Sequence, residues 1–251
     1  MLHAANKHKT RYWERYQGVR LEGETGVRAE DEIVSTVFGP LAFLPPAAIA
    51  AFWMAVVRWE PDSAGDPFPA GPVTGASMEF WPTRYEREPD LRVVLQWGET
   101  SVVILVELKW DSGLSPDQLQ LQWNACLDES EKSRALHVFI GKDIGNALND
   151  AAKDDVWAGR LHLLSWFNIL TILGSLGGPG ADLLQLWGSE VSGLLEFLGI
   201  RAFDGFSRLA VPYAPQGLDA NFWCPFDGFA YLDVPDAPEG DEAMFFARSD
   251  A

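Results

Sequence analysis

Two apolar runs flank Gly98-Glu99 in PDLRVVLQWGETSVVILVELKW, Pro89 to Trp110. Runs of this length, rich in Val, Leu and Ile and divided by a turn pair, predict a β-hairpin. Upstream, RAEDEIVSTVFGPLAFL places Ile33, Val34, Val37, Phe38 and Leu41 on one face at helical spacing, entered through acids. Gly39-Pro40 is expected to end or bend that helix. Pro45-Pro46 opens a second helix, PAAIAAFWMAVV, apolar nearly all round and so expected to be buried. The Pro/Gly-rich stretch 60–75 reads as a loop, followed by a short strand, SMEFWP.

Beyond the hairpin, Ser115 as N-cap, Pro116 at the first helical position and Asp117 in the first turn mark a helix through SPDQLQLQWNACLDESE. ALHVFIGK, Ala135 to Lys142, reads as a buried strand, followed by a helix to about Val156 and a strand RLHLLSW, Arg160 to Trp166. NILTILGSL is an apolar helix stopped by GGPG, and ADLLQLWGSEVSGLLEFLGI is a long amphipathic one. Phe-Asp-Gly-Phe occurs at 203–206 and again at 226–229, where two turns with aromatic anchors account for it. Strands alternating with helices predict an α/β protein with a mixed central sheet flanked by helices on both faces.

The hairpin register decides where its charged residues lie. With Gly98-Glu99 as a two-residue turn, Trp97 faces Thr100, Asp90 faces Glu107 and Glu88 faces Lys109. Opposed residues point to one side with Cβ atoms roughly 5 Å apart. Residues two apart on a strand share that side. Asp90, Glu107 and Lys109 are thus gathered at one end of one sheet face, while Leu91, Val93, Leu95, Val102, Ile104, Val106 and Leu108 fill the other. A one-residue slip of the turn would send the partners to opposite sides. Two carboxylates this close repel unless one is protonated or a cation lies between them. A hard divalent cation accepts carboxylate oxygens and phosphate oxygens together, and an adjacent ammonium can orient water or stabilise charge on phosphate. The alternative is a salt bridge of Lys109 with Asp90 or Glu107.

Composition narrows the picture. The chain has 251 residues, 47% of them hydrophobic and 22% charged, as in an ordinary globule with a sizeable core. The two cysteines, Cys126 and Cys224, build neither a disulfide framework nor a zinc site. The first residues lack the apolar core of a signal peptide, and the apolar helix 46–57 is too short to span a bilayer, so a cytoplasmic protein without membrane insertion is expected. The net charge of −17 opposes DNA binding by bulk electrostatics but leaves room for a local basic groove. Residues 1–20 are basic, with Tyr12, Trp13 and Tyr16 interleaved, and 233–242 are acidic. A solvated arm is the favoured reading of each. His3, His8, His137 and His162 have no metal spacing, and neither a P-loop nor a Gly-x-Ser-x-Gly elbow occurs.

Pro89-Asp90, a strand ending Glu107-Leu108-Lys109, an acidic helix before them and a glutamine-bearing helix after them resemble the PD-(D/E)xK nuclease superfamily, over about Ala29 to Trp166. The resemblance implies a restriction-endonuclease-like αβββαβ core at about 24–170 of a single domain 1–251. A largely helical or irregular C-terminal extension would occupy about 181–251. It further implies a nuclease that hydrolyses phosphodiester bonds with Mg²⁺ or Mn²⁺, on nucleic acid, with DNA expected. Asp90 and Glu107 would ligate the metal and Lys109 would position the attacking water. The upstream helix should add an acid: Glu30, on the buried face, with Glu32, pointing away, as the fallback. Gln118, or Gln122 one turn later, would contact the lysine, the metal's water or a phosphate. The recombination-type pattern has a tyrosine four residues after its glutamine, where this chain has Gln122. Solvent-facing amides are the alternative for both glutamines, and Glu88 is a further ligand or a partner for Lys109. The competing function is a catalytically inactive nuclease-fold protein acting as a binding or regulatory partner. A homodimer or a protein partner stays open.

Overall fold

The computed structural model describes residues 30–59, 65–82, 87–153, 156–177 and 181–201. The basic and acidic terminal stretches, both Phe-Asp-Gly-Phe motifs and the extension past residue 201 lie outside them.

The acid-led helix α1 (Glu30–Leu41) buries Ile33, Val34, Val37, Phe38 and Leu41, and it ends one residue after Pro40. Pro45-Pro46 opens α2 (Pro46–Val57), which buries Ile49, Phe52, Trp53 and Val56. Ala47 and Ala51 of α2 are exposed, so this helix is not enclosed all round as its composition suggested; alanine leaves little apolar surface to hide. Strand β1 (Gly75–Phe80) begins and ends two residues before SMEFWP. Just past its end Trp81 takes φ 44°, in the left-handed region.

Strands β2 (Leu91–Trp97) and β3 (Thr100–Leu108) form the hairpin in the register the turn requires: Trp97 pairs with Thr100 and Leu91 with Val106. Gly98 turns the chain at φ 59°, and nothing lies within 4 Å of where its Cβ would be, so backbone conformation rather than space calls for glycine.

Helix α3 (Gln118–Ala125) starts later than the Ser115-Pro116-Asp117 signal implies. Asp117 takes φ 57°, and the Gln118 N–H closes a turn onto the Ser115 carbonyl at 3.1 Å, so the three residues form a turn ahead of the helix. A separate short helix α4 (Glu129–Lys132) follows, capped reciprocally by Asp128 and Glu131. Then come β4 (Leu136–Gly141), α5 (Gly145–Lys153), β5 (Leu161–Ser165), α6 (Trp166–Ser175) and α7 (Asp182–Phe197). The strand read through Trp166 ends at Ser165 because Ser165 and Asn168 make a capping box that starts α6.

The sheet order is β1-β2-β3-β4-β5. The first three strands are antiparallel, while β3, β4 and β5 run parallel, joined through α3–α4 and α5. This is a mixed sheet of an α/β protein with helices on both faces. β4 is buried along its whole length, as expected of a central parallel strand. One face, with Leu91, Val93, Ile104 and Val106, packs on α1, α2, α6 and α7. There Phe38 stacks on Trp53 at 5.5 Å and the Trp187 indole N–H donates to the Val37 carbonyl at 2.9 Å. On the other face Val103, Leu105 and Phe139 pack against Leu119, Trp123 and Trp157. Among the described residues no helix is long and apolar enough to cross a membrane.

Candidate metal centre

Where the β2–β3 ladder stops, a carboxylate takes over. Asp90 lies one residue before β2, and its Oδ2 accepts the Leu108 backbone N–H at 2.7 Å. Its carbonyl accepts the Trp81 N–H at 2.9 Å. Glu107 is the penultimate residue of β3 and stands opposite Phe139 of β4, on the sheet face that α3 covers. Lys109 follows β3, pinned through its main chain: its N–H donates to the Ile140 carbonyl at 2.8 Å and its carbonyl accepts the Trp166 indole N–H at 2.9 Å. Asp90 is 7% exposed and Glu107 2%, so neither charge is well hydrated.

Glu30 arrives from the opposite layer, at the first position of α1. Its carboxylate accepts from Lys109 Nζ at 3.1 Å, from the Trp110 N–H at 3.1 Å and from the Ser112 hydroxyl. One oxygen each of Glu30, Asp90 and Glu107 lies within 4.8 Å of the others. Lys109 Nζ sits 2.6 Å from Glu107 Oε1 and so bridges Glu107 and Glu30.

Gln118 and Gln122 of α3 face inward rather than to solvent. Gln118 Nε2 donates to Glu107 Oε1 at 2.5 Å, while its own Oε1 accepts the Ser115 N–H at 3.2 Å, which fixes the amide's orientation. Gln122 Nε2 donates to Glu107 Oε2 at 2.6 Å and is 3.4 Å from the Glu88 carbonyl. The four-residue spacing puts both on one helical face, over the same carboxylate.

The structure therefore brings Glu30, Asp90, Glu107, Lys109 and Gln118 together. Two expectations are corrected. Glu32 does not point out to solvent: it is 2% exposed, because α1 is covered over most of its circumference. Glu88 has an exposed side chain, and it is its carbonyl that reaches toward this site. Ser112 and the Trp110 N–H, both on Glu30, were missed in the sequence. The signal available was only their place just after a strand-end lysine.

Three carboxylates face one ammonium, an excess of negative charge in a nearly dry place. Burial pushes the Asp90 carboxyl well above its usual range, the Glu107 charge adds to the push, and the Leu108 N–H and Lys109 oppose it. Burial also raises Glu107, against the pull of Lys109 and the Gln122 amide. For Lys109 burial alone would lower the pKa, but the Glu107 and Glu30 carboxylates outweigh it and the net shift is upward. The neighbouring carboxylates thus favour the charged form of Lys109.

An all-oxygen acidic donor set with unbalanced negative charge suits a hard divalent cation, and the residues present fit one. Two clefts adjoin the cluster. One, of about 300 Å³, is lined by Lys109, Trp110, Ser112, Lys142 and Asn146. The other, of about 270 Å³, is lined by Arg87, Glu88, Ser115, Gln118 and Gln122. In the first, Lys142 Nζ lies 4.1 Å over the Trp110 ring and 2.7 Å from Asp111 Oδ1.

No family model and no curated protein matches the chain. Among solved structures the chain is similar to the MspJI restriction endonuclease in complex with a 27-mer oligonucleotide. The identity is 13% and the TM-score 0.32, over 74% of this chain and 40% of that one. The chain thus spans less than half the length of that neighbour.

Proposed function

We propose that this protein is a Mg²⁺- or Mn²⁺-dependent nuclease of the PD-(D/E)xK type, hydrolysing phosphodiester bonds of DNA. Its αβββαβ core is α1, the three antiparallel strands, α3 and β4. The observation that carries this reading is the convergence of Glu30, Asp90 and Glu107 within 4.8 Å, with Lys109 bridging two of them. A cation held by these carboxylates supplies a Lewis acid for a phosphoryl oxygen. The chain's own residues do the rest. The Lys109 ammonium, held protonated, orients the attacking water by donating to it and offsets negative charge building on the phosphate. Gln118 keeps Glu107 in its rotamer from the cleft side. The flanking clefts give room for the nucleotide units on either side of the reacting phosphate.

The test is cleavage of linear, circular and single-stranded DNA with Mg²⁺ and with Mn²⁺. Asp90→Ala, Glu107→Ala and Lys109→Ala are each expected to abolish cutting while far-ultraviolet circular dichroism stays that of a folded chain. Full cutting by any of the three, or in EDTA, defeats the reading. The four groups would then be an ion network in an inert nuclease-fold protein that serves as a binding partner.

A further inference from the structure

The two oxygens of Glu107 are not used alike. Oε1 takes two donors, Gln118 Nε2 at 2.5 Å and Lys109 Nζ at 2.6 Å. The described hydrogen bond to Oε2 is a single one, from Gln122 Nε2 at 2.6 Å. Gln122 is 2% exposed, and its own Oε1 is buried with no hydrogen-bond partner. Turning the amide over would set that oxygen against Glu107 Oε2, carboxylate against carbonyl, so the orientation is fixed by the contact. A buried acceptor without a donor costs about 1–3 kcal/mol. Leucine or methionine at this position would avoid the cost, and the chain carries the amide instead. The unmet acceptor lies one amide width from a carboxylate of the acidic cluster, in a side chain that also borders the cleft with Gln118.

The missing group must be a donor, small enough to be buried, and next to Glu107. A water held by a divalent cation has that character: its lone pair is committed to the metal and both its hydrogens seek acceptors, and such cations keep several waters. We infer that Gln122 is a positioning residue of the centre, its Nε2 fixing the Glu107 carboxylate and its Oε1 accepting a hydrogen bond from a cation-bound water. This rests on the metal reading above. It assigns Gln122 a role that differs from that of Gln118. Gln118 restrains Glu107 through Oε1, whereas Gln122 holds Glu107 through Oε2 and the cation's water through its own Oε1.

The test uses the full-length chain and Mn²⁺ alone, with no nucleic acid. Wild type, Gln122→Met and Gln122→Asn are melted in EDTA and then across a Mn²⁺ series, with affinity taken from the concentration dependence of Tm. Hydrogen-bonded partners of metal ligands typically contribute about 10- to 100-fold in metal affinity. Gln122→Met is therefore expected to melt somewhat below wild type in EDTA, since Glu107 Oε2 loses its donor even as the unmet acceptor is removed, and its Mn²⁺ response is read against its own metal-free Tm. It should bind Mn²⁺ at least about 10-fold more weakly. If Gln122→Met does not fold, Gln122→Asn carries the same expectation, because its amide is withdrawn by one methylene. Equal Mn²⁺ affinity in a folded variant and wild type overturns the role of Gln122 while leaving the metal centre intact. A wild-type melting curve that Mn²⁺ does not move overturns the centre and the role of Gln122 with it.

Discussion

Removing the ammonium at Lys109 is the perturbation that the site's electrostatics predict most sharply. Lys109→Met keeps a straight chain of similar length and deletes only the charge. The Lys109 side chain is 13% exposed, and its partners Glu107 and Glu30 are 3% and 22% exposed. Deleting one member of a buried pair costs about 3–5 kcal/mol, because the other charge is left unpaired. Here the low end applies, about 3 kcal/mol, since Lys109 still touches water and the carboxyls can take up protons. A unit of this size shifts by about 2–4 °C per kcal/mol, so the metal-free variant should melt about 6–12 °C below wild type at pH 7.5. Lys142→Met is the control. Lys142 and Asp111 are 35% and 50% exposed, a surface pair contributing under about 1 kcal/mol, so that variant should shift by a few degrees at most. Calorimetry in EDTA, then at pH 5 and then with Mn²⁺, separates the contributions. The Lys109→Met deficit should shrink at pH 5 relative to pH 7.5, because carboxyls with raised pKa take up protons more readily as pH falls. Mn²⁺ should also reduce it, by restoring positive charge. Equal small shifts for the two lysines, or a deficit that is the same at pH 5 and 7.5, would refute the argument.

The metal-free protein should lose stability as pH rises from about 4. Asp90 and Glu107 have folded-state pKa values above their ordinary 3.8 and 4.5, so the folded state binds more protons in that window and each rise in pH disfavours it. Asp90→Asn should remove part of this slope and melt higher than wild type at pH 8 without metal, with the difference closing as pH falls. His137 acts in the opposite sense. Burial pushes its pKa from 6.5 down to about 3, so the unfolded chain takes the proton first and stability falls as pH drops through that interval. His137→Phe should flatten the acid limb of the Tm profile, and should lower stability at pH 7 by about 1–3 kcal/mol because the Trp157 indole N–H loses its acceptor at Nδ1. Cys126 is buried and burial raises its pKa to about 11, so peptide mapping should find it unalkylated by iodoacetamide at pH 8 until the chain unfolds. Alkylation of Cys126 at the rate of a free thiol would contradict its placement.

The central geometry was legible because it depends on counting. A two-residue turn at Gly98-Glu99 fixes every pairing of β2 with β3, and the side-chain period of two then assigns Asp90, Glu107 and Lys109 to one side. Glu30 was legible for a similar reason, by its helical phase with Val34, Val37 and Leu41. What failed was competition between local signals. Ser115-Pro116-Asp117 has the composition of a helix start, yet Asp117 adopts a left-handed turn that delays α3 to Gln118. Ser165 reads as the end of a strand, but its reciprocal bonding with Asn168 makes it the cap of α6. Glu32 was assigned to solvent from one helix considered alone, and tertiary packing overrode that phase. The inward aim of Gln118 and Gln122 depends on the tilt of α3 over the sheet, which neither periodicity nor composition encodes.

Glu30 meets Lys109 and Ser112 across 79 and 82 residues of chain. Such a contact closes a long loop, and its entropy is lost only once the intervening hairpin and helices have condensed. The four charged groups span residues 30 to 109, so a fragment that lacks either end of that span cannot assemble the cluster. A nascent chain that has emerged only through the hairpin holds Asp90, Glu107 and Lys109 without the glutamines that clamp them. The amide hydrogen bonds to Glu107 can form only after synthesis has passed α3.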